Sequence, residues 1–529
     1  MLRNGRGWTP TLLVILVAGA LLRLVALGRF PGVYGDEAWY GVNVQALFDH
    51  AEPFVRTPSG NLLNVLHTVP LVLFSSLFSP SLAVLRLPSA MWGILTMVLA
   101  YPLLRRSIGE RAARWAAMLI ASTPILVAYS RFGWDPSDMP FVTLLAVAFA
   151  LGDRPLLCVI AVLVSLLVHP VAIFAIPIYV GAWLPHAHRR LQAADAATRR
   201  RAAILGGVGV ALCVPIASVV LLRASSNNDT WFPSISIAIE RVTSLASWLR
   251  VFGAAVEFVS GGITITYLAG SMHPVVRVAA ALVCGAALCI PFLFAWKRLR
   301  DSRSPAIGMF AGAVVGIAAL HVLAGPRVAE PGLERYGIAL VVPLLVMSAV
   351  AIDAWVEQQT AATWMAGLFM ATLLGTTIGS YVVPFMNQGG HAAESAYRTT
   401  TLAEPKAAAS RFIIDDSRGA TSVRVTAADW TLYWTARYLL WTDRRVIVMP
   451  AAGVELFGGE RPAERHRLQH SHPIASTSLD GVEDPRRQRG ATLPKPRFCS
   501  YIAGSERAPG NVSASAPTHA RAIAPRFAQ

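Results

Sequence analysis

Apolar runs long enough to cross a bilayer recur through the first 382 residues, with arginine and lysine clustered between them. A spanning helix needs about 20 apolar residues, and cytoplasmic loops collect Lys and Arg. Arg3 and Arg6 set the N-terminus inside, so residues 10–28 cross outward. Ala18-Gly19-Ala20 has the form of a signal-peptidase site. The apolar run continues past it to Leu27, which favours a retained helix. Residues 61–78 are interrupted by Asn64, His67 and Pro70 and read as an interfacial helix in a long outer loop. Residues 82–104 return inward to Arg105, Arg106, Arg111 and Arg114. Residues 115–129 cross outward and 139–151 inward. The stretch 155–184 is broken at His169-Pro170, since a proline disfavours helix in the residue before it. Two short helices meeting at an outer turn keep Arg189 to Arg201 inside. Residues 202–222, 275–296, 305–324, 338–352 and 361–382 complete the set. The pattern predicts an α-helical polytopic membrane protein of about eleven transmembrane helices, N-terminus in and C-terminus out.

Two outer loops are long, 29–81 and 223–273. The apolar part of the second, 251–270, has no basic cluster beside it, only single arginines, and reads as lying on the membrane. The loop at Asp353 and Glu357 has no Lys or Arg of its own. Beyond 382 the pattern changes. Val423 to Thr426 and Arg445 to Val448 alternate like strands, with a helical stretch at 430–440 between them. Residues 383–454 thus form a small C-terminal α/β extracytoplasmic module. Residues 455–529 lack apolar periodicity and are expected to be a disordered tail.

Composition agrees. The 529 residues are 54% hydrophobic and 14% charged, against about 25% charged in soluble domains. Mean hydropathy is +0.51. The net charge of +16 sits mainly in clusters flanking apolar segments, so it records topology rather than nucleic-acid binding. Five scattered cysteines offer no disulfide framework or CxxC metal site.

Three outer features carry chemistry. Asp36-Glu37 sits just past the first apolar run, Asp135 in the next outer loop, and Arg335-Tyr336 in a later one. Ionised groups at a membrane boundary are costly and mark functional sites by default. Two carboxylate sites can activate a hydroxyl, bind a divalent cation, or divide those tasks. An arginine can clamp a phosphate with its planar fork of donors. A base and a phosphate clamp beside the bilayer fit group transfer from a lipid-linked phosphate donor. Taken singly, Arg335 reads as an interfacial anchor and His169 as a buried helix-end histidine. A transporter or flippase of lipid-linked sugar would favour charged, broken helices at midplane and internal repeats, and no repeat is visible. A non-catalytic membrane scaffold is the other alternative.

Asp36-Glu37 in the first outer loop resembles the acidic motif of the C-type membrane glycosyltransferases. The chain is similar to protein O-mannosyltransferases and to the bacterial aminoarabinose transferases that modify lipid A. Arg86-Leu87-Pro88-Ser89-Ala90, Arg105-Arg106 with Arg111, Tyr129-Ser130-Arg131 through Trp134-Asp135-Pro136-Ser137, His169-Pro170, and Arg335-Tyr336 with Pro343 all contribute. The ordered set over residues 8–382 carries the likeness, rather than any one motif. It implies a bacterial cytoplasmic (inner) membrane protein that uses a polyprenyl-phosphate-linked sugar donor, membrane lipid around it, and a lipid, glycan or protein acceptor. Asp36 would be the general base of an inverting transfer. Glu37 would hold the first loop or a cation, and Asp135 would support the acceptor or a metal. Any divalent cation would fall to Asp36 and Asp135. Arg335, with Arg131, would stabilise the phosphate, and Trp39, Tyr40 and Trp134 would stack on sugar faces. One departure is that the outer loops hold almost no lysine, so arginine would have to serve the phosphate.

Overall fold

The computed structural model describes residues 8–50, 56–57, 62–197, 200, 235–270, 272–301, 304–330, 332–357, 359–390, 397–399, 403–451 and 500–504. The expected helix 202–222 lies outside them. Helices α1 (Pro10–Leu24), α2 (Gly35–Phe48), α3 (Val65–Leu77) and α4 (Leu82–Ile108) come first. The expected crossing at 115–129 is two helices, α5 (Glu110–Ser122) and α6 (Pro124–Tyr129), broken where Pro124 opens a new first turn. A 3₁₀ turn, Asp135–Asp138, leads into α7 (Met139–Leu151). Helix α8 (Pro155–Val168) ends at His169. A 3₁₀ turn, Pro170–Ala175, then starts α9 (Ile176–Ala193), so the chain does break at His169-Pro170.

The second long loop is not a loop over its described part. It forms α10 (Ile235–Thr243), α11 (Leu245–Ser260) and α12 (Gly262–Ala269). Nor does 251–270 lie on the surface. Val251, Ala254, Phe258, Val259, Ile263 and Leu268 are buried in the main core. Helices α11 and α12 meet at 69°. Gly261 supplies the left-handed residue at that corner, a conformation that costs glycine least. Next come α13 (Pro274–Asp301), α14 (Pro305–Ala324), α15 (Ile338–Val356), α16 (Thr360–Thr376) and, after a π-helical turn at Thr377–Val382, α17 (Val383–Gln388).

Among the described residues six helices are long and apolar enough to cross a membrane. The bent α11–α12 pair would make a seventh, and α1, α3 and α8 are shorter apolar helices. Helix α15 is the axis of the bundle. Nearly all of it from Ile338 to Trp355 is buried, as an all-round apolar helix must be. Its 19 residues span about 28 Å at 1.5 Å each. Against α9 and the 3₁₀ turn before it, α14 sets Gly308, Gly312 and Gly316, spaced by four. A methyl at Gly312 would overlap the Pro177 carbonyl, so the two backbones touch.

The two ends of α15 differ. Arg335 precedes its start. At its far end Asp353 and Glu357 bind Arg111, Glu357 at 2.7 Å, and Arg298 also pairs with Glu357. Arginines from the ends of two helices, α5 and α13, therefore serve the loop that lacks its own. Arg190 and Asp153 pair at that end too, at 2.6 Å.

Helix α18 (Pro405–Asp416), β1 (Ser422–Ala427), α19 (Trp430–Leu439), β2 (Val446–Pro450) and β3 (Ser500–Gly504) close the chain. The sheet order is β2-β1-β3, with β1–β2 parallel, Val423 opposite Val446, and β1–β3 antiparallel. Buried and half-buried residues alternate along β1, leaving Val423 and Val425 to pack with Ile413, Ala436 and Leu440. The strand β3 corrects the expectation of disorder at 500–504. The rest of the 455–529 tail lies outside the described residues. Helix α19 lies across α2 at the Arg335 end. The Trp430 ring meets Gly35, the Tyr438 ring meets Gly41, and Tyr438 donates its hydroxyl to the Ser81 carbonyl at 3.1 Å.

Candidate active site

The first turn of α2 sorts its two acids. The Tyr34 amide donates to Glu37 Oε1 at 3.0 Å, closing the cap, and carboxylates in a first turn complement the helix dipole. Successive helical residues point about 100° apart, so Asp36 and Glu37 face different ways. Glu37 turns inward, 1% exposed, and Arg86, fully buried, grips both its oxygens at 2.9 and 2.6 Å. The Gly133 amide adds a bond at 3.0 Å, and Arg86 also donates to the Leu27 carbonyl. Every Glu37 oxygen is occupied, so this side chain ties α2, α4 and the Gly133 loop together.

Asp36 turns toward the mouth with 28% of its side chain exposed, and Arg335 Nη1 stands 3.9 Å from Oδ2. Arg335 sits in a 3₁₀ turn, Glu334–Gly337, with its guanidinium 5.5 Å from the Trp134 ring centroid and 5.6 Å from that of Tyr336. Because Gly133 is bonded beside Asp36, the following turn brings Asp135 to the same mouth. Burial pushes Asp135 up to about 8, with the Asp36 charge the next cause and Arg335 opposing. Asp36 is raised as well, by burial first, with Arg335 opposing and Glu37 adding. The structure therefore brings Asp36, Asp135 and Arg335, from three loops, to one end of the bundle.

Other expected contacts are corrected. Arg131 is fully buried and donates to the carbonyls of Leu22, Val25, Ala26 and Phe30, with Phe30 beneath it at 4.0 Å. It braces the end of α1 and has no donor directed to a phosphate. Trp39 and Tyr40 are 0% and 2% exposed, so neither presents a ring face to a sugar. Trp134 is also buried, under Arg335 and against Tyr129 and Phe132. His169 caps the 3₁₀ turn after it, its Nδ1 accepting from the Val171 amide at 3.3 Å. The half-buried rings at the mouth are Tyr34, Tyr267, Tyr336 and, from the C-terminal module, Trp430. Tyr34 stacks on Tyr397 at 5.1 Å and meets Trp430 edge-on at 5.3 Å.

Two buried acids next to Asp135 and Arg335 escaped the sequence reading. Glu334 accepts from the Tyr129 hydroxyl at 3.2 Å and the Gly332 amide at 2.6 Å, fixing the turn that carries Arg335. Asp138 lies below Asp135. Both are polar residues opening apolar helices, the one signal that was available. Asp36 and Asp135 are the carboxylates a divalent cation would use. Among the described residues no group of three or more His, Cys, Asp or Glu is arranged to hold one.

Residues 69–193 match the family described as dolichyl-phosphate-mannose-protein mannosyltransferase. The crystal structure of ArnT from Cupriavidus metallidurans bound to undecaprenyl phosphate superposes with a TM-score of 0.51 at 15% identity, over 94% of this chain and 98% of that one. The same protein in the apo state gives 0.48 at 14%, over 93% and 97%. The Archaeoglobus fulgidus oligosaccharyltransferase in its apo form gives 0.43 at 14%, over 83% and 64%. No curated protein matches by sequence. The chain resembles the family its sequence pointed to, and the full-length match to ArnT shows the shared fold.

Proposed function

We propose that this chain is a glycosyltransferase that moves a sugar from a polyprenyl-phosphate donor to an acceptor hydroxyl at the outer face of a bacterial inner membrane. The observation that carries this reading is the pairing of a half-exposed carboxylate, Asp36, with Arg335 at 3.9 Å, on a C-type fold. Asp36 takes the proton of the acceptor hydroxyl as its oxygen bonds to the anomeric carbon. The bond from that carbon to the phosphate oxygen breaks, its electron pair leaves with the lipid phosphate, and the configuration inverts. Arg335 meets the charge that develops on the leaving phosphate, where a preorganised donor acts most strongly. Asp135, protonated below about 8, donates a hydrogen bond that orients the acceptor. Residues 1–382 form the transferase body and 383–454 the outer module, whose Trp430 walls the acceptor side.

The test is release of polyprenyl phosphate by the purified protein from a panel of undecaprenyl-phosphate-linked pentoses and hexoses, with and without chelator. Turnover on at least one donor, lost on Asp36→Asn while donor binding persists, is the expected result. Full turnover in Asp36→Asn would remove Asp36 as the base.

A further inference from the structure

Beneath the carboxylate pair lies a second ionisable cluster that the proposed reaction does not use. Asp138 closes the 3₁₀ turn that Asp135 opens, but it points into the protein with 1% of its side chain exposed. Asn64 Nδ2 donates to its Oδ2 at 2.9 Å, and His67 Nδ1 stands 3.5 Å from its Oδ1. Both partners belong to the start of α3, whose end Asn64 caps by accepting from the Leu66 amide at 3.0 Å. His67 is fully buried, with the Tyr40 ring 4.8 Å away. Tyr40 is four residues after Asp36 on α2, so it lies on the same face, under the mouth.

Two observations set this cluster apart from ordinary packing. Asp138 precedes α7 with helical backbone angles, and its carboxylate makes no bond to the amides of that helix. Its carboxylate is turned to α3 instead. Among the described residues both His67 ring nitrogens and Asp138 Oδ1 are buried without a hydrogen-bond partner, their nearest approach being the 3.5 Å between them, and polar groups buried in that way cost stability rather than add it. What the arrangement does achieve is a fixed orientation for the turn.

We propose that His67 is a positioning residue: through Asp138 it fixes the turn that presents Asp135 to Asp36. This rests on the glycosyl-transfer reading above. His67 does not touch substrate. The phosphate clamp, Arg335, comes from a different turn, braced by Glu334 and Tyr129. Loosening the Asp135 turn therefore impairs the chemical step and leaves donor affinity nearly intact. A general loss of folding would not separate the two.

The experiment uses the full chain in lipid nanodiscs and the undecaprenyl-phosphate sugar that wild type turns over fastest. His67→Phe fills the space without a donor, His67→Asn restores a nitrogen near Nδ1, and Asp138→Asn removes the partner's charge. Expected are a fall in kcat on the order of 10²-fold for His67→Phe and Asp138→Asn, as for a misplaced reacting group. Donor KM should stay within about twofold, and His67→Asn should recover most of the rate. Adding Asp135→Asn to His67→Phe should cost little more, because both act on one group. Wild-type kcat in His67→Phe and Asp138→Asn overturns the inference. So does a joint loss of kcat, KM and thermal stability that His67→Asn does not rescue. If wild type releases no lipid phosphate from any donor, the transferase reading falls and this inference with it. If Asp36→Asn is inactive while the His67 and Asp138 variants are normal, only the positioning role falls.

Discussion

Two acids one residue apart on a helix have opposite fates here because one meets Arg86 and the other meets solvent. Asp36→Asn should lower turnover by about 10²- to 10⁴-fold, the usual contribution of a general base, in the lipid-phosphate release assay. The pH profile should be bell-shaped. The Asp36 carboxyl is raised above the ordinary aspartate value, so its base form is lost as pH falls, earlier than for a free aspartate. Asp135 loses its proton as pH rises through about 8, so the alkaline limb belongs to it and should disappear in Asp135→Asn. Glu37 should behave as a structural residue. Glu37→Gln leaves the Arg86 cation buried without its counter-charge, a loss of about 3–5 kcal/mol, read as a lower Tm. Glu37→Gln with Arg86→Met should recover part of it. Asp36 and Arg335 were legible because they are charged, polar-flanked and at the right boundary. The burial of Glu37 was not, because it depends on an arginine 49 residues away in sequence. Arg131 misled for the same reason: its charge was visible, but the four carbonyls that take its donors were not. His67 was visible only as an interruption in an apolar run.

At the scale of elements, helix boundaries follow prolines and caps. Thr9, Ser81, Ser304 and Asp429 each cap the helix that follows them. The break at His169-Pro170 was legible for the same local reason. The helices at 235–269 were not, because glycines at 253, 261 and 262 and the lack of a basic cluster disguised segments whose apolar faces α6, α13 and α14 cover. The glycine stripe on α14 makes its own prediction. Gly312→Val should force α9 and α14 apart, because backbone rather than a movable side chain occupies the space. Overpacking of this kind costs about 1–3 kcal/mol or more. It should appear as a lower Tm, and as a weaker crosslink between cysteines placed on α9 and α14.

For the whole molecule, α15 sets the geometry. Arg335 at one end and Asp353 at the other stand about one hydrocarbon thickness apart, so the ionic networks belong to opposite faces. In a background lacking the five native cysteines, single cysteines at Asp49 and Thr360 should react with a membrane-impermeant thiol reagent from opposite sides. Labelling of both from one side would contradict this orientation. The number of full crossings was less legible than their order. Several helices near the mouth are too short to span alone, and only their packing shows how they combine.

The seats that Gly35 and Gly41 offer to Trp430 and Tyr438 have a consequence for biogenesis. A ribosome delivers α19 roughly 400 residues after α2, counting from Gly41 to Tyr438. During that interval the aromatic wall beside Asp36 does not yet exist. The mouth is therefore completed only after that long stretch has been made, and a nascent chain stalled before Trp430 would hold the acid without its cover.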